Sequence, residues 1–391
     1  MASVETEFDL LQQTLQQDGV AAALDQLAAH LRGNKKFHEL FEALKMKVRH
    51  GLGLPLTYSD AGDELDESTR IKLEDGLIAA CRDVGIALLR EGAVREGWMY
   101  LRPVGDRAAA AAELARIEAD EENLDALIEV TLHEGVDPKR GYGLVLEHHG
   151  TCNAITTYES TVVRQSIAAQ QAAAGLLVEH VHRELLATLR ADIAQQQGAE
   201  PAEASLKELV ADRDWLFGEH SYHLDTTHLA STVRFSRLLE DETQLRLALD
   251  LTAYGRRLSP QFQYKGDQPF EDIYSSHALY LGAILGENVD AAVDYFRERA
   301  ETLDSREHGG LPVEAYVQLL DRLGRYESAI EALLRFVQVQ PEAASQAMPL
   351  MLELSQKLGN YDELVRYCRE REDLLGYATA VLSSAADAES K

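Results

Sequence analysis

Residues 217–228, FGEHSYHLDTTH, concentrate side chains that can bind a metal ion or move a proton. The candidate ligands are His220, His223, Asp225 and His228, which fall within nine positions. Imidazole and carboxylate groups are common protein ligands of transition metals, and a site with three protein ligands keeps a coordination position open for water or substrate. The pattern therefore predicts a divalent transition metal, either zinc, iron or manganese, held by these four residues.

Asp225 also has a structural interpretation. With the two threonines that follow, it forms a run of good helix-capping residues, so a helix is predicted to begin here and continue through LASTVRFSRLL. His220 and His223 would then lie on the preceding loop, and His228 in the first helical turn. Asp225 is either a metal ligand or a plain N-cap, and the sequence leaves both roles open.

A second stretch, residues 147–159 (EHHGTCNAITTYE), holds the candidate catalytic residues. They are His148, His149, Cys152 and Glu159. Here a histidine could supply a further ligand or a general base, the glutamate a ligand or an acid, and the cysteine a thiolate stabilised at a helix start. The structural alternatives are histidines that stabilise a helix C-terminus and a cysteine that packs as a small hydrophobe.

Histidine is enriched around both stretches. Of 13 histidines, seven fall between positions 148 and 228, where uniform scatter would place fewer than three. They are His148, His149, His180, His182, His220, His223 and His228. This enrichment is the main argument from sequence for a functional site.

The charge of the chain restricts the classes of partner. Asp and Glu total 66 against 38 for Lys and Arg, which gives a formal charge of -28 over 391 residues. Such a charge repels phosphate backbones and anionic membranes, so neither nucleic acid nor a membrane is an expected partner. The acidic N-terminus, the lack of a long apolar run and three widely separated cysteines predict a cytoplasmic protein with reduced thiols.

The elements that would position these residues are predicted to be helices throughout. Apolar residues recur at spacings of three and four, and breaks are predicted at Gly19, at Asp137-Pro138, at Gly150 and at 198–202. The predicted organisation is an N-terminal helical segment (1–55), a helical-pair region (70–198) that contains the stretch 147–159, and a region from 203 to 391 that contains the stretch 217–228 followed by helical repeats. Residues 56–68 are predicted to form an acidic loop.

The C-terminal third carries a repeated pattern. Within residues 313–341 its key positions are Gly324, Tyr326, Ala329, Leu333, Phe336 and Pro341. A second copy has Gly359, Tyr361, Leu364 and Cys368 at corresponding positions, and a weaker one has Gly286, Asn288, Ala291 and Tyr295. These residues resemble the tetratricopeptide repeat. The resemblance implies an all-α fold of antiparallel helix pairs stacked as a solenoid, often used to bind peptides.

Two functions are consistent with these observations. The first is a metal-dependent hydrolase or lyase acting on a small molecule or peptide, in which the ion acidifies a bound water or polarises a carbonyl and a nearby His or Glu moves the proton. The second is a non-catalytic scaffold that resembles tetratricopeptide-repeat proteins and binds a protein or peptide in its groove, with basic partners favoured by the acidic charge. The histidine enrichment favours the enzyme.

Overall fold

Helices are the main regular secondary structure of the described chain. A computed structural model of the protein describes residues 4–57, 65–203, 205–303, 305–340 and 344–389. Within these ranges there is no strand, only one isolated antiparallel bridge between Lys265 and Asp272. The predicted all-α class is therefore confirmed. Most of the predicted acidic loop, residues 58–64, and Pro341 of the repeat pattern lie outside the described residues.

The chain divides into two compact units, Met1–Ala173 and Ala174–Lys391. The first contains α1 (Val4–Gly33), α2 (Phe37–Gly51), α3 (Glu67–Arg90), α4 (Val94–Leu101), α5 (Arg107–Leu114), α6 (Leu124–Ile128), a π-helical turn (Glu129–His133) and α7 (Pro138–Ser160). The boundary falls inside α8 (Ile167–Gln197). The division predicted near 198–203 stays a prediction.

The helix breaks predicted in the first unit are present. Gly19 interrupts α1 and Gly150 interrupts α7, each with a positive φ and an extended ψ that a helix cannot accommodate. Asp137 caps α7, where its carboxylate accepts a hydrogen bond from the Arg140 backbone N–H at 3.1 Å, and Pro138 is the first helical residue. Residues 147–159 therefore lie on two short helices that meet at Gly150.

In the first unit, α3 and α4 approach closely at a pair of glycines. A Cβ on Gly85 would lie 2.6 Å from Leu101 Cγ and 2.9 Å from the Gly97 carbonyl oxygen, and a Cβ on Gly97 would lie 2.6 Å from Leu89 Cδ2. All three distances are far shorter than a van der Waals contact. The two helices can therefore pack at this separation only because both positions lack a side chain.

The second unit contains the remaining helices: α9 (Leu206–Ala211), α10 (Thr226–Phe235), α11 (Glu242–Gly255), α12 (Ile273–Ile284), α13 (Val289–Thr302), α14 (Ser305–His308), α15 (Leu311–Arg322), α16 (Tyr326–Val339), α17 (Ala344–Leu358), α18 (Asp362–Glu370) and α19 (Leu374–Glu389). Consecutive helices pack on one another: α12 on α13, α13 on α15, α15 on α16, α16 on α17 and α18 on α19. The three sequence copies coincide with α12 and α13, α15 and α16, and α17 and α18.

The same backbone turn links the two helices of each copy. Gly324 has φ 69°, and the Arg325 N–H donates to the Leu320 carbonyl at 2.8 Å. Gly286 and Gly359 likewise have positive φ, and the residue after each donates to a carbonyl five positions earlier. This is the hydrogen bond that ends a helix in the Schellman motif, and it requires a residue that tolerates left-handed geometry.

The weakest copy is shifted by one residue. The sequence pattern placed Ala291 where the two helices approach, but Ala291 is exposed and Ala292 is fully buried. Asn288, with φ 51°, adds a second left-handed residue before α13. The helix α13 begins three positions after Gly286, whereas α16 begins two positions after Gly324. The shift accompanies this second left-handed residue, which the turns at Gly324 and Gly359 lack.

An aromatic cluster forms part of the second unit's core. The His277 ring lies 4.4 Å from the Phe270 ring, centroid to centroid, and Phe270 in turn contacts Tyr280 and Phe296. His277 is 1% exposed, and its Nδ1 lies 2.6 Å from the Ile273 carbonyl oxygen. Burial lowers the pKa of His277 to about 3, with the positive charge of Arg237 as a further cause. The imidazole is therefore neutral in the folded protein.

We predict that Gly85→Ala lowers the free energy of unfolding by about 1–3 kcal/mol, because the added methyl group forces α3 and α4 apart. Gly33→Ala is the control: it lies at the end of α1 with no atom within 4 Å of its Cβ position. That variant should keep or slightly raise the stability, since alanine favours a helix by up to about 1 kcal/mol over glycine. Urea denaturation followed by circular dichroism measures both. Equal stability of Gly85→Ala and wild type would contradict the close approach.

We further predict that His277 makes the protein sensitive to acid. The folded pKa, about 3, is below the ordinary value of 6.5, so the unfolded state binds the proton first and stability falls as the pH drops below 6.5. At about pH 4.5 the loss reaches roughly 3 kcal/mol, at ~1.4 kcal/mol per pH unit. The His277→Phe variant lacks this contribution, so its stability should decline less between about pH 6.5 and pH 4.5. The exposed His149→Gln is the control, and a parallel decline of His277→Phe and wild type would refute the assignment.

Candidate functional site

The predicted loop-to-helix junction is present in the second unit. α9 is followed by a 3-10 turn (Asp214–Phe217), then by a loop that ends at Asp225, and α10 begins at Thr226. Asp225 Oδ1 accepts hydrogen bonds from the Thr227 N–H at 2.8 Å, the Thr227 hydroxyl at 2.6 Å and the His228 N–H at 3.3 Å. The bonds from Thr227 are the main reason why the pKa of Asp225 is lowered. Asp225 is therefore the N-cap of α10, which is one of its two predicted roles.

His223 attaches this loop to the core. Its backbone N–H donates to the Tyr254 hydroxyl at 3.0 Å, its Nδ1 lies 2.9 Å from the same hydroxyl, and its Nε2 lies 3.2 Å from Asp192 Oδ2. The side chain of His223 is only 6% exposed, and Tyr254 is 1% exposed. One imidazole therefore connects the loop to α8 through Asp192 and to α11 through Tyr254.

The three contacts assign the tautomer of His223. The Tyr254 hydroxyl accepts the backbone N–H of His223, so the hydroxyl proton is available for a hydrogen bond to Nδ1. The ring proton of His223 then lies on Nε2, which donates to the Asp192 carboxylate. A proton on Nδ1 would compete with that hydroxyl. Burial lowers the pKa of His223, although the hydrogen bond to Asp192 opposes the shift, and burial raises the pKa of Tyr254 to about 12. Both groups are neutral near pH 7.

Aromatic contacts support the same loop. The Phe217 ring lies 5.5 Å from the Tyr254 ring, and the Arg257 guanidinium carbon lies 4.0 Å from the Phe217 centroid. The Tyr222 ring meets Phe262 edge-on at 5.0 Å. The loop is therefore packed from two sides rather than projecting into solvent.

The structure places the predicted metal ligands in different surroundings, with His228 half-buried in the first turn of α10. His220 is exposed, with Nδ1 3.3 Å from Gln261 Nε2, both ring nitrogens of His223 contact protein groups, and Asp225 is used as a cap. Within the ranges that the structure describes, no three His, Cys, Asp or Glu side chains come together as a set that could hold an ion. The geometry gives the predicted ion site no support.

The second predicted stretch belongs to the first unit. His148, His149, Cys152 and Glu159 are all exposed, around the interruption of α7 at Gly150. Other residues of α7 are buried around this interruption, and the Tyr142 hydroxyl donates to the Ala154 carbonyl at 3.1 Å. Cys152 is exposed, so its alternative as a small buried hydrophobe is wrong. Its reactivity stays a prediction.

The two histidines of α8 face different surroundings. His180 Nε2 lies 3.2 Å from Glu184 Oε1 on the same helix, whereas His182 is largely buried with Nε2 3.3 Å from Asp250 Oδ2 on α11. Their spacing of two residues places them about 200° apart around the helix. Both therefore contribute to helix packing and surface pairing.

A cleft in the second unit is a separate candidate site. It has a volume of about 860 Å³ and is bounded by α13, the start of α15 and α16. Its apolar lining includes Tyr316, Phe336 and Val339, and Val339 is 76% exposed. Arg335 of α16 pairs with Glu301 of α13 across the cleft at 3.1 Å. The cleft thus combines an exposed apolar surface with charged edges.

The chain matches no protein-family model and no curated protein. In the described residues, no helix is both long and apolar enough to cross a membrane.

Several structurally important residues were missed at the sequence level. Asp192 and Tyr254 each lie 31 positions from His223, inside regular helical patterns, and nothing in their local sequence marks them. Glu301 and Arg335 are similarly ordinary helix-surface residues. A weak signal existed for Val339, an apolar residue at the end of a helix beside polar Gln338 and Gln340.

We predict that Tyr254→Phe lowers the free energy of unfolding by about 1–3 kcal/mol, because it leaves the buried N–H and Nδ1 of His223 without a partner. Tyr222→Phe is the matched control, since Tyr222 is 54% exposed, and its stability should change by less than about 0.5 kcal/mol. Urea denaturation of both variants measures the difference. If the two variants are equally stable, the His223 attachment is not a source of stability.

Proposed function

We propose that this protein is a non-catalytic interaction scaffold whose second unit binds a segment of a protein or peptide in the cleft between α13, α15 and α16. The observation that carries this proposal is an exposed valine in that cleft. Val339, which is 76% exposed, lines a depression of about 860 Å³ together with the half-buried Phe336 and the buried Tyr316. Apolar side chains of a partner would remove this surface from water.

The arrangement of the helices supports the proposal. The cleft lies between the second helices of two successive pairs, and these are the pairs whose sequences resemble tetratricopeptide repeats. Stacked helix pairs form extended surfaces on which a partner segment can lie. A scaffold of this kind needs a shaped surface rather than a reactive group.

Two of the seven histidines that favoured an enzyme have structural roles in the second unit. His223 bridges Tyr254 and Asp192, and His182 contacts Asp250. An ion site that uses His223 as a ligand would need one of its ring nitrogens, and both contact groups within the protein. The histidine enrichment therefore carries less weight for catalysis than it did in the sequence alone.

We predict that peptides selected from a random 12-residue display library on the full-length protein bind through Val339. Replacement of Val339 by Asn should weaken their binding about tenfold, because burying a valine side chain is worth roughly 1.5 kcal/mol. Fluorescence anisotropy measures the dissociation constants. Val163→Asn, at an exposed valine of the first unit, is the matched control and should bind as wild type does.

Two outcomes would refute the scaffold proposal. One is a selection that yields no peptide with saturable binding to the full-length protein. The other is a set of peptides whose affinity for the Val339→Asn and Val163→Asn variants is the same. Circular dichroism of both variants confirms that the fold is retained.

A further inference from the structure

The cleft does not end at α16. A second depression of about 360 Å³ lies between α16 and α18, and Glu331 and Arg335 line both it and the cleft. Its apolar lining includes Leu334 and Leu358, and Leu358 is 38% exposed. The two depressions therefore lie on either side of a ridge on α16 that Glu331 and Arg335 form, and we call the ridge and both depressions the α16 surface.

The cationic groups of the α16 surface are already paired. Arg335 pairs with Glu301 at 3.1 Å, Arg297 with Asp294 at 2.6 Å, and Arg366 with Glu363. Each of these guanidinium groups has its charge balanced by a carboxylate within the protein. An acidic partner would have to compete with those carboxylates.

Three carboxylates of the α16 surface are not balanced in this way. Glu327, Glu331 and Asp362 are exposed, and none of them forms an ion pair with another described residue. Glu331 lies where the two depressions join. The surface therefore offers carboxylates without an ion-pair partner in the same depressions as exposed apolar side chains, on a chain whose formal charge is already -28. Of the three, Glu327 and Asp362 lie in first helical turns, where the helix dipole stabilises them, whereas Glu331 lies beyond the first turn of α16.

We infer that the partner segment is basic and apolar, with lysine or arginine side chains spaced between apolar ones. This inference rests on the scaffold proposal and specifies its partner. The apolar side chains cover Val339 and Phe336, and a cationic side chain pairs with Glu331 and its two acidic neighbours. Charge complementarity of this kind selects partners and speeds association more than it adds affinity.

A pair of synthetic peptides tests the inference. The first is a capped 12-residue peptide with leucines at helical spacings of three and four and lysine at the remaining positions; its twin carries glutamate in place of every lysine. Anisotropy titrations against the full-length protein should show the lysine peptide binding at least about tenfold more tightly, and this difference should shrink as salt is added.

Charge-reversal variants distinguish an effect of charge at the α16 surface from an effect of the net charge of the chain. Glu331→Lys should weaken the lysine peptide about tenfold and Glu331→Gln about threefold, as expected for a pair at the edge of an interface. Glu121→Lys makes the same change in net charge at an exposed position of the first unit, and should weaken binding less than twofold. Circular dichroism shows that the variants are folded.

The outcomes distinguish the two proposals. Equal weakening by Glu331→Lys and Glu121→Lys, or equal binding of the two peptides, would overturn the inference of a basic partner. If selected library peptides still depend on Val339 in that case, the scaffold proposal stands without it. If no peptide depends on Val339, the scaffold proposal fails as well. Tenfold weakening by Glu331→Lys alone supports the inference.

Discussion

The packing in the second unit depends on one backbone constraint, a left-handed residue at the end of the first helix in each pair. At Gly286, Gly324 and Gly359 the chain leaves the helix through the same hydrogen bond, from the following residue to a carbonyl five positions back. This turn ends the first helix, and the residues that follow it set which face of the second helix is buried. The helices α13 and α16, which line the cleft, each begin after such a turn.

Buried polar groups impose the second constraint, and it explains the histidine-rich loop. A loop that packs against helices must satisfy its own backbone donors, because an unpaired buried N–H is costly. The Tyr254 hydroxyl accepts a hydrogen bond from the backbone N–H of His223 and also contacts Nδ1 of its ring, and the Asp192 carboxylate contacts Nε2. Residue types that suit metal chemistry suit this task equally well, since imidazole can both donate and accept.

The parts of the structure that local sequence determines were predicted well. The helix breaks at Gly19 and Gly150, the caps at Asp137 and Asp225 and the glycine turns all depend on residues within one helical turn of each other. The partners of His223 and the walls of the cleft depend on residues more than 30 positions apart. Helical periodicity shows which residues face inward but not which helix they meet, so a dense histidine pattern could not be distinguished from a packing network.

The packing of α13 and α16 on α15 has a consequence for the kind of segment that the proposed scaffold would bind. Because both walls of the cleft rest on the same helix, they keep their spacing before any partner arrives, and the exposed ion pair between Arg335 and Glu301 adds little to this. In the proposed complex the scaffold would therefore lose little conformational freedom, and most of the ordering cost would fall on the incoming segment. A segment that is already helical, or held within a folded domain, would avoid that cost. The proposed site would then discriminate by rigidity as well as by composition.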